Sequence, residues 1–402
     1  MPSQRTADIS DYIEYKRASV TVRGRTYVVV SKHGVFSHGR TDRASLMLAE
    51  AMAALAGGEL VVDLNGGNGM VGMVAGASGA ERVLCADRSI VNVDAARRTM
   101  SENGVTRVHV HHRHGAQGLS ADRLADVVTI RIPKERLALQ QLLVDAFGLL
   151  RVGGTCLVAG ANDEGVKTAA GTLGRIFGSE RTLDRDSGHR LLSATKREGS
   201  SPDASELASP YLDPGVFHEH DAHLAGHALR IFSRPGVFSW QHLDEATAIL
   251  GDVMRVTDGE AVLDIGCGAG ALGTLGGVLS GDARVLMLDA DSEAVRSAVR
   301  TASAAGLTRA EVRPSDVGAA VGDERFDVVV TNPPFHTGKA TDLRVPAQFL
   351  ADAHAALRTG GRMYLVANRT LPYERIIAER FGSVSTAHDG VRFKVLMAQR
   401  SG

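Results

Sequence analysis

The sequence predicts an α/β protein made of two tandem Rossmann-like, doubly wound sheets, the first a degenerate duplicate of the second. Three observations predict this fold: a length of 402 residues, an internal repeat, and an alternation of short apolar strands with longer helical segments. The length favours two domains, because a domain typically has about 100–200 residues. Charged residues at 23% and hydrophobic residues at 44% are ordinary globular values, which argue against a disordered chain.

The internal repeat divides the chain into two copies. Four short segments of the first half recur 201 or 202 residues later, in the same order. The matching pairs are 34–37 with 236–239, 61–69 with 262–270, 83–87 with 285–289, and 126–128 with 327–329. We therefore predict a first domain at 1–197 and a second at 211–402, joined by a polar linker at 198–210 that is rich in Ser, Asp and Pro.

Each copy alternates short apolar segments with longer segments of helical periodicity. This order is typical of βαβ units and of a mostly parallel sheet. In the second copy the predicted strands are 261–265, 284–288, 310–313, 326–331 and 362–367, and the predicted helices are 271–279 and 292–305.

A glycine-rich loop follows the first of these strands. Gly266, Gly268 and Gly270 lie between a strand and a helix, the context that a nucleotide-binding loop requires. Glycine permits positive φ and has no Cβ to hold a ligand away from the backbone. Asp289 ends the next strand, where a carboxylate can accept hydrogen bonds from both ribose hydroxyls. These four residues predict a site for a nucleoside cofactor.

The same loop indicates which cofactor binds. A dinucleotide loop reads G-x-G-x-x-G and seats a pyrophosphate at a helix N-terminus, whereas here Asp264 precedes closely spaced glycines. A carboxylate suits a cofactor with a cationic amino-acid tail and no phosphate, and S-adenosyl-L-methionine is such a cofactor. Asp316, after the strand at 310–313, is placed to contact the adenine amine, with an ordinary exposed loop residue as the alternative.

A second motif, Asn332-Pro333-Pro334-Phe335, follows the strand at 326–331 directly. Two prolines fix φ and donate no hydrogen bonds, so the backbone presents its carbonyls rigidly at the sheet edge. An exocyclic amine on a nucleobase is a poor nucleophile, because its lone pair is conjugated with the ring. If the Asn332 side-chain oxygen and the Pro333 carbonyl accept its N–H groups, the lone pair turns toward the methyl group. Stacking of Phe335 on the base would add about 1–3 kcal/mol.

The motifs together resemble the two-domain bacterial ribosomal RNA (guanine-N2)-methyltransferases, which are class I S-adenosylmethionine-dependent enzymes. The likeness covers nearly the whole chain and is carried by 235–239, the glycine loop, 332–338, 366–373 and 392–395. The later segments separate this family from adenine-N6 DNA methyltransferases and glutamine-N5 protein methyltransferases, which share the Asn-Pro-Pro-aromatic element. The sequence departs from the family at 240–247, where it predicts a helix start with Asp244 as N-cap.

The resemblance implies that the second domain methylates the N2 amine of a guanine in ribosomal RNA. It implies Asn332, Pro333, Pro334 and Phe335 as catalytic residues, with Asn332 also beside the cofactor. The first domain would be a noncatalytic duplicate that helps to hold RNA, since 131–134 (Arg-Ile-Pro-Lys) replaces the acceptor tetrapeptide and Asn65 replaces the first loop glycine.

Two other functions fit the same motifs. The first is methylation of another amine, either adenine N6 or a small molecule. The second is a noncatalytic RNA-binding assembly factor that keeps the cofactor as a structural ligand. Residues 1–200 hold 26 Lys and Arg against 21 Asp and Glu, and the remainder holds 19 against 25, so the first half is the better partner for a polyanion. Arg131 and Lys134 are candidates for phosphate contact, with an exposed charge that has no partner as the alternative for each.

The remaining features set the expected setting of the protein. Its three cysteines lie far apart and have neither zinc-ligand spacing nor a disulfide framework, which fits a reducing compartment. No segment approaches the roughly 18 apolar residues of a membrane span, so we expect a cytoplasmic protein that acts as a monomer. Histidines at 109, 111, 112 and 114 alternate between two strand faces, so we expect no metal site there.

Overall fold

The computed structural model describes residues 10–119, 123–334 and 344–402, which form two compact units. The first unit is Tyr15–Val216, and the second is Phe217–Gly402 together with the described residues before Tyr15. The division thus lies after the predicted linker at 198–210. The physical reason is that Glu206 stays bonded to the first unit: it accepts hydrogen bonds from Gln140 and an ion pair from Arg175.

A short helix, α1 (Ser10–Ile13), precedes the first unit in the chain but packs in the second. The elements of the first unit are β1 (Lys16–Val22), β2 (Arg25–Ser31), α2 (Arg43–Met52), β3 (Leu60–Leu64), α3 (Met70–Ala77), β4 (Arg82–Asp87), α4 (Ile90–Glu102), β5 (Val108–His112), β6 (Ala125–Arg131), α5 (Arg136–Leu149), β7 (Leu150–Ala161), α6 (Val166–Phe177), β8 (Arg181–Asp186) and β9 (His189–Thr195).

The second unit repeats this order. Its elements are β10 (His218–Leu224), β11 (His227–Ser233), α7 (Glu245–Val253), β12 (Val262–Ile265), α8 (Ala271–Leu279), β13 (Val285–Asp289), α9 (Ser292–Ala304), β14 (Ala310–Pro314), β15 (Phe326–Thr331), α10 (Arg344–Ala356), β16 (Leu357–Asn368), α11 (Tyr373–Phe381), β17 (Ser385–Asp389) and β18 (Phe393–Gln399).

Each unit contains a seven-stranded mixed sheet and a separate two-stranded hairpin. The sheet orders, β5-β4-β3-β6-β7-β9-β8 and β14-β13-β12-β15-β16-β18-β17, are the same arrangement used twice. Within each of these sheets the described pairings are parallel except those of β9 and β18, which run antiparallel to the strands on both sides of them. The predicted fold class, two tandem Rossmann-like sheets of the class I methyltransferase type, is confirmed.

Alternate residues of the second sheet face two different helical layers, which makes the sheet doubly wound. Leu263 and Ile265 of β12 pack in a core with α1, α10 and α11. Val262, the residue before Leu263, packs in the opposite core with α7, α8 and α9. Because strand side chains alternate in direction, a strand with both faces covered reads as a continuous apolar run.

The structure keeps most of the predicted element bounds in the second copy. Helix α8 and strand β15 have the predicted ends, and α9 ends one residue earlier, at Ala304. Strand β16 begins at Leu357, five residues before the prediction, because its pairing with β15 shifts register between Phe326 and Val328. The glycines at 360 and 361 look like a turn in sequence but lie within this irregular strand.

Candidate active site

Both predicted motifs lie at one edge of the second sheet. The glycine loop follows β12 and the Asn332 segment follows β15, and these strands are parallel neighbours with Ile265 paired to Thr331. The Thr331 hydroxyl donates to the Ile265 carbonyl at 2.8 Å, which ties the two strand ends together. The chain order reverses between these strands, and open α/β sheets bind ligands at such a switch point.

The loop glycines serve two different purposes. At Gly270, a Cβ would lie 2.9 Å from Ala298 Cα, so only glycine lets α8 approach α9 so closely. At Gly268, φ is 53° and no described heavy atom lies within 4 Å of the place a Cβ would take. No described atom is therefore packed against the loop on this side of Gly268. Gly266, with φ of 74°, begins the loop.

Asp264 carries a buried carboxylate with one oxygen unused. Its side chain is almost fully buried, and Oδ2 accepts a hydrogen bond from Gly273 N at 2.8 Å. Oδ1 is buried with no hydrogen-bond partner among the described residues. The pKa of Asp264 is raised to about 7, chiefly because burial disfavours the charged carboxylate. The Gly273 N–H opposes this shift, and the nearby charge of Asp289 adds to it. A cationic amine at Oδ1 would satisfy this oxygen and favour the ionised form.

Asp289 and Asp316 both have contacts that the sequence did not reveal. Asp289 Oδ2 accepts from Gly268 N at 2.8 Å and its Oδ1 from Asp291 N at 2.9 Å, so this carboxylate also fixes the shape of the loop. Asp316 Oδ1 accepts from the hydroxyl of Tyr12 at 2.7 Å. Tyr12 lies on α1, is buried in the second unit's core, and has no sequence signal that connects it to the site.

Asn332 is held in a defined orientation by two residues of α7's start. Its Nδ2 donates to Asp244 Oδ2 at 3.1 Å and to Thr247 Oγ1 at 3.0 Å. A carboxylate can only accept, so the amide nitrogen must face Asp244 and the amide oxygen must face away. Asp244 is also the N-cap of α7, accepting from Thr247 N at 2.9 Å, as the sequence predicts.

The other residues of the acceptor tetrapeptide differ in exposure. Pro333 is buried and Pro334 is exposed. Phe335, predicted to stack on the base, lies outside the described residues.

The corresponding place in the first unit is filled by the protein itself. Arg131, at the position of Asn332, is buried and forms ion pairs with Asp42 and Glu164 at 3.1 and 2.8 Å. Asn65, at the position of Gly266, donates from Nδ2 to the Arg131 carbonyl at 2.7 Å. Arg131 therefore has its charge neutralised inside the domain, which corrects the expectation that it contacts phosphate.

The first unit also satisfies the carboxylate that corresponds to Asp264. Asp63 Oδ1 accepts from the Thr129 hydroxyl at 2.7 Å, and Oδ2 contacts Cys85 Sγ at 3.7 Å. The residue equivalent to Thr129 in the second copy is Val330, which has no hydroxyl to donate. The unused carboxylate oxygen is thus a property of the second domain.

Removal of the Arg131 side chain tests whether this residue stabilises the first domain by filling the position that Asn332 has in the second. We expect Arg131→Ala to destabilise the first domain by about 3 kcal/mol, because it leaves the partly buried Asp42 and Glu164 carboxylates without their arginine partner. Denaturant unfolding of the full chain should show an earlier first transition, and methyl transfer per folded molecule should change little. An unchanged unfolding curve would contradict the structural role.

Among the described residues, no group of three or more His, Cys, Asp or Glu side chains is arranged to hold a metal ion. In the same part of the chain, no helix combines the length and apolar character that crossing a membrane requires.

The chain is similar to known methyltransferases along most of its length. Residues 26–193 and 228–397 each match the methyltransferase small domain. Ribosomal RNA small subunit methyltransferase C of Shewanella amazonensis is 33% identical over 277 residues, which cover 69% of this chain and 78% of that protein. The Pseudoalteromonas atlantica protein of the same name is 34% identical over 281 residues, with the same coverage.

A solved structure resembles both domains together. It is the T. thermophilus 16S rRNA N2 G1207 methyltransferase in complex with AdoMet and guanosine, with a TM-score of 0.81 and 27% sequence identity. The match covers 98% of this chain and 99% of that one. With both copies matched and the loop and Asn-Pro-Pro motif intact in the second, the chain belongs to the methyltransferase small domain family, among the small-subunit ribosomal RNA methyltransferases.

Proposed function

We propose that the second domain transfers a methyl group from S-adenosyl-L-methionine to the exocyclic N2 amine of a guanine in small-subunit ribosomal RNA. The observation that carries this proposal is the fixed Asn332 amide, whose oxygen faces away from Asp244 beside the glycine loop. The relatives named for ribosomal RNA methylation and the solved structure with AdoMet and guanosine support the same substrates.

The cofactor residues fit S-adenosylmethionine. The unused Asp264 oxygen suits the cationic amino-acid part, and Asp289, at the end of β13, suits the ribose hydroxyls. Gly268 has no described atom packed against its side of the loop. Asp316 would accept a hydrogen bond from the adenine amine while it also accepts one from the Tyr12 hydroxyl. When bound, this cofactor supplies an electrophilic methyl group on a sulfonium.

The chain's own residues prepare the acceptor. Asn332 Oδ1 and the Pro333 carbonyl accept the two N–H groups of the amine, which turns its lone pair out of conjugation. With the cofactor held at the glycine loop, the amine would attack the methyl carbon without a prior proton transfer. The N–C bond would form as the C–S bond breaks, the sulfur would leave as a neutral thioether, and the extra proton would pass from the amine to water. Catalysis by these residues is therefore orientation, which is worth orders of magnitude in rate when reacting atoms are held in line.

The first domain has the role of an RNA-holding lobe in this proposal. In the first domain, Arg131, Asn65 and Thr129 fill the positions that correspond to the acceptor motif and the cofactor site. Residues 1–200 carry a formal charge of +5, from 26 Lys and Arg against 21 Asp and Glu. A basic surface supplies sequence-independent affinity for phosphates. The protein acts on its RNA in the cytoplasm, as a monomer.

The decisive experiment uses the purified full chain with methyl-labelled S-adenosylmethionine. Small subunits, large subunits and naked ribosomal RNA from a strain that lacks the enzyme are offered separately, and nucleosides are identified by mass spectrometry. We expect N2-methylguanosine in small-subunit RNA, with the site equivalent to G1207 as the first position to map. N6-methyladenosine would assign another acceptor, and RNA binding without any methylation would support an assembly factor instead.

A further inference from the structure

The filled site of the first domain shows how the second domain holds its substrate. The repeat makes four pairs of positions equivalent across the two domains. These pairs are Phe36 with Phe238, Asp42 with Asp244, Ser45 with Thr247, and Arg131 with Asn332. In both domains the aspartate caps the helix after the loop and accepts from the backbone N–H three residues later.

In the first domain, the carboxylate and the aromatic ring of this set both contact the Arg131 guanidinium. Nε donates to Asp42 Oδ2 at 3.1 Å and Nη2 donates to Asp42 Oδ1 at 3.2 Å. The guanidinium carbon lies 4.6 Å from the centroid of the Phe36 ring. The planar guanidinium thus donates two N–H groups along one edge to the Asp42 carboxylate, and the Phe36 ring covers one of its faces.

A guanine base presents the same array. Its N1–H and N2–H groups flank C2 in one plane, so that this edge is a guanidine built into a ring. Adenine differs, since its N1 is a hydrogen-bond acceptor. A carboxylate at this edge would therefore bind guanine and repel adenine.

The second domain has the same carboxylate and ring without the arginine. Asp244 Oδ2 is occupied by Thr247 N and Asn332 Nδ2, at 2.9 and 3.1 Å, but none of the described residues donates to its Oδ1. Phe238 is 65% exposed, although a large apolar side chain is normally buried. The Asp244 oxygen and the Phe238 ring, which correspond to the groups that hold Arg131 in the first domain, can therefore both contact a ligand.

We propose that Asp244 Oδ1 accepts the N1–H of the target guanine and that Phe238 covers one face of the base. This inference rests on the proposed function and adds the residues that select guanine. The Asn332–Asp244 hydrogen bond sets the two side chains next to each other, so that Asn332 Oδ1 takes an N2–H while Asp244 takes the adjacent N1–H. The pairing explains why α7's cap contacts the acceptor motif.

The base analogue 2-aminopurine tests the N1–H contact directly. It keeps the amine at position 2 but has an acceptor at N1. With the shortest RNA that the wild-type enzyme methylates, we expect 2-aminopurine at the target position to lower kcat/KM by about 10- to 100-fold, the value of a hydrogen bond to a charged group. Equal kcat/KM for the two RNAs would overturn the proposal without any variant.

The variant Asp244→Asn should reverse this preference. Asparagine is a good N-cap, and its oxygen must face Thr247 N and Asn332 Nδ2, which leaves an N–H donor where Oδ1 was. That donor opposes N1–H of guanine and matches N1 of 2-aminopurine. We expect the ratio of kcat/KM for guanine over 2-aminopurine to fall at least tenfold and to approach or cross one, which a loss of helix stability alone would not produce.

Matched controls come from the first domain. Asp42→Asn and Phe36→Leu change the equivalent residues and should leave the guanine preference of the wild type intact. Phe238→Leu should raise KM for RNA and leave cofactor affinity unchanged. An unchanged preference in Asp244→Asn, with N2-methylguanosine still formed by the wild type, would refute this inference alone. Absence of N2-methylguanosine from the wild-type reaction would refute the proposed function.

Discussion

Asn332→Ala is expected to lower methyl transfer by on the order of 10²–10³-fold, the loss seen when one preorganised hydrogen-bonding group is removed from a reacting centre. The amine then loses the acceptor that turns its lone pair toward the methyl group. Binding of S-adenosylmethionine should change little, because the glycine loop and Asp264 are untouched. Single-turnover rates and equilibrium dialysis with labelled cofactor measure the two quantities separately.

The fold should tolerate this change. Asp244 keeps its hydrogen bond from Thr247 N, so the cap of α7 remains when the Asn332 amide is gone. A thermal unfolding curve like that of the wild type is therefore the control. Turnover equal to the wild type would remove Asn332 from the mechanism.

Asp264→Asn is expected to weaken S-adenosylmethionine binding by about 10- to 100-fold, because the variant loses a charged acceptor for the cationic part of the cofactor. Asp63→Asn, the equivalent change in the first domain, should leave binding unchanged, since Asp63 is already bonded to Thr129. Isothermal titration of both variants gives the comparison. Equal loss in the two variants would mean that the effect is not local to the second domain.

The raised pKa of Asp264 also predicts how stability and binding depend on pH. In the folded protein the pKa is about 7, against 3.8 for an ordinary aspartate, so the folded state holds this proton more tightly than the unfolded state does. The contribution to stability is therefore full below about pH 4 and is lost as the pH rises through about 7. The loss is on the order of 4 kcal/mol, at about 1.36 kcal/mol for each pH unit.

Asp264→Asn should accordingly stabilise the unliganded second domain at pH 8 and have a smaller effect at pH 5. The wild type should bind S-adenosylmethionine more tightly above pH 7 than below it, and should release a proton on binding near pH 6, because the cationic ligand favours the ionised carboxylate. Titrations in two buffers of different ionisation enthalpy measure that proton. Binding that is independent of pH between 5 and 8 would contradict this account of Asp264.

Much of the second domain followed from the sequence because its signals are local. The loop from Asp264 to Gly270 joins a strand to a helix within a few residues, and the bounds of α8 and β15 are those predicted. The Asn-Pro-Pro motif directly follows its strand, so its place at the sheet edge required only the order of the strands. The repeat then predicted the first sheet from the second.

The sequence did not reveal contacts between residues that are far apart in the chain. Tyr12 meets Asp316 across 304 residues, and Asn332 meets Asp244 across 88. The hairpin of β10 and β11 was also not predicted. Its sequence, rich in histidine, gives no clear apolar alternation, and its pairing becomes visible only in the folded chain.

The sequence by itself determined that the chain is a duplicated α/β protein, that its second copy keeps a cofactor loop and an amine-binding motif, and that its first copy has lost both. Only the tertiary structure decided how each copy uses its aspartates. Asp63 and Asp264 occupy equivalent positions in β3 and β12, but the neighbouring strand supplies Thr129 beside the first and Val330 beside the second. Hydrogen-bond satisfaction depends on neighbours across a sheet, and those neighbours are set by strand pairing rather than by position along the chain.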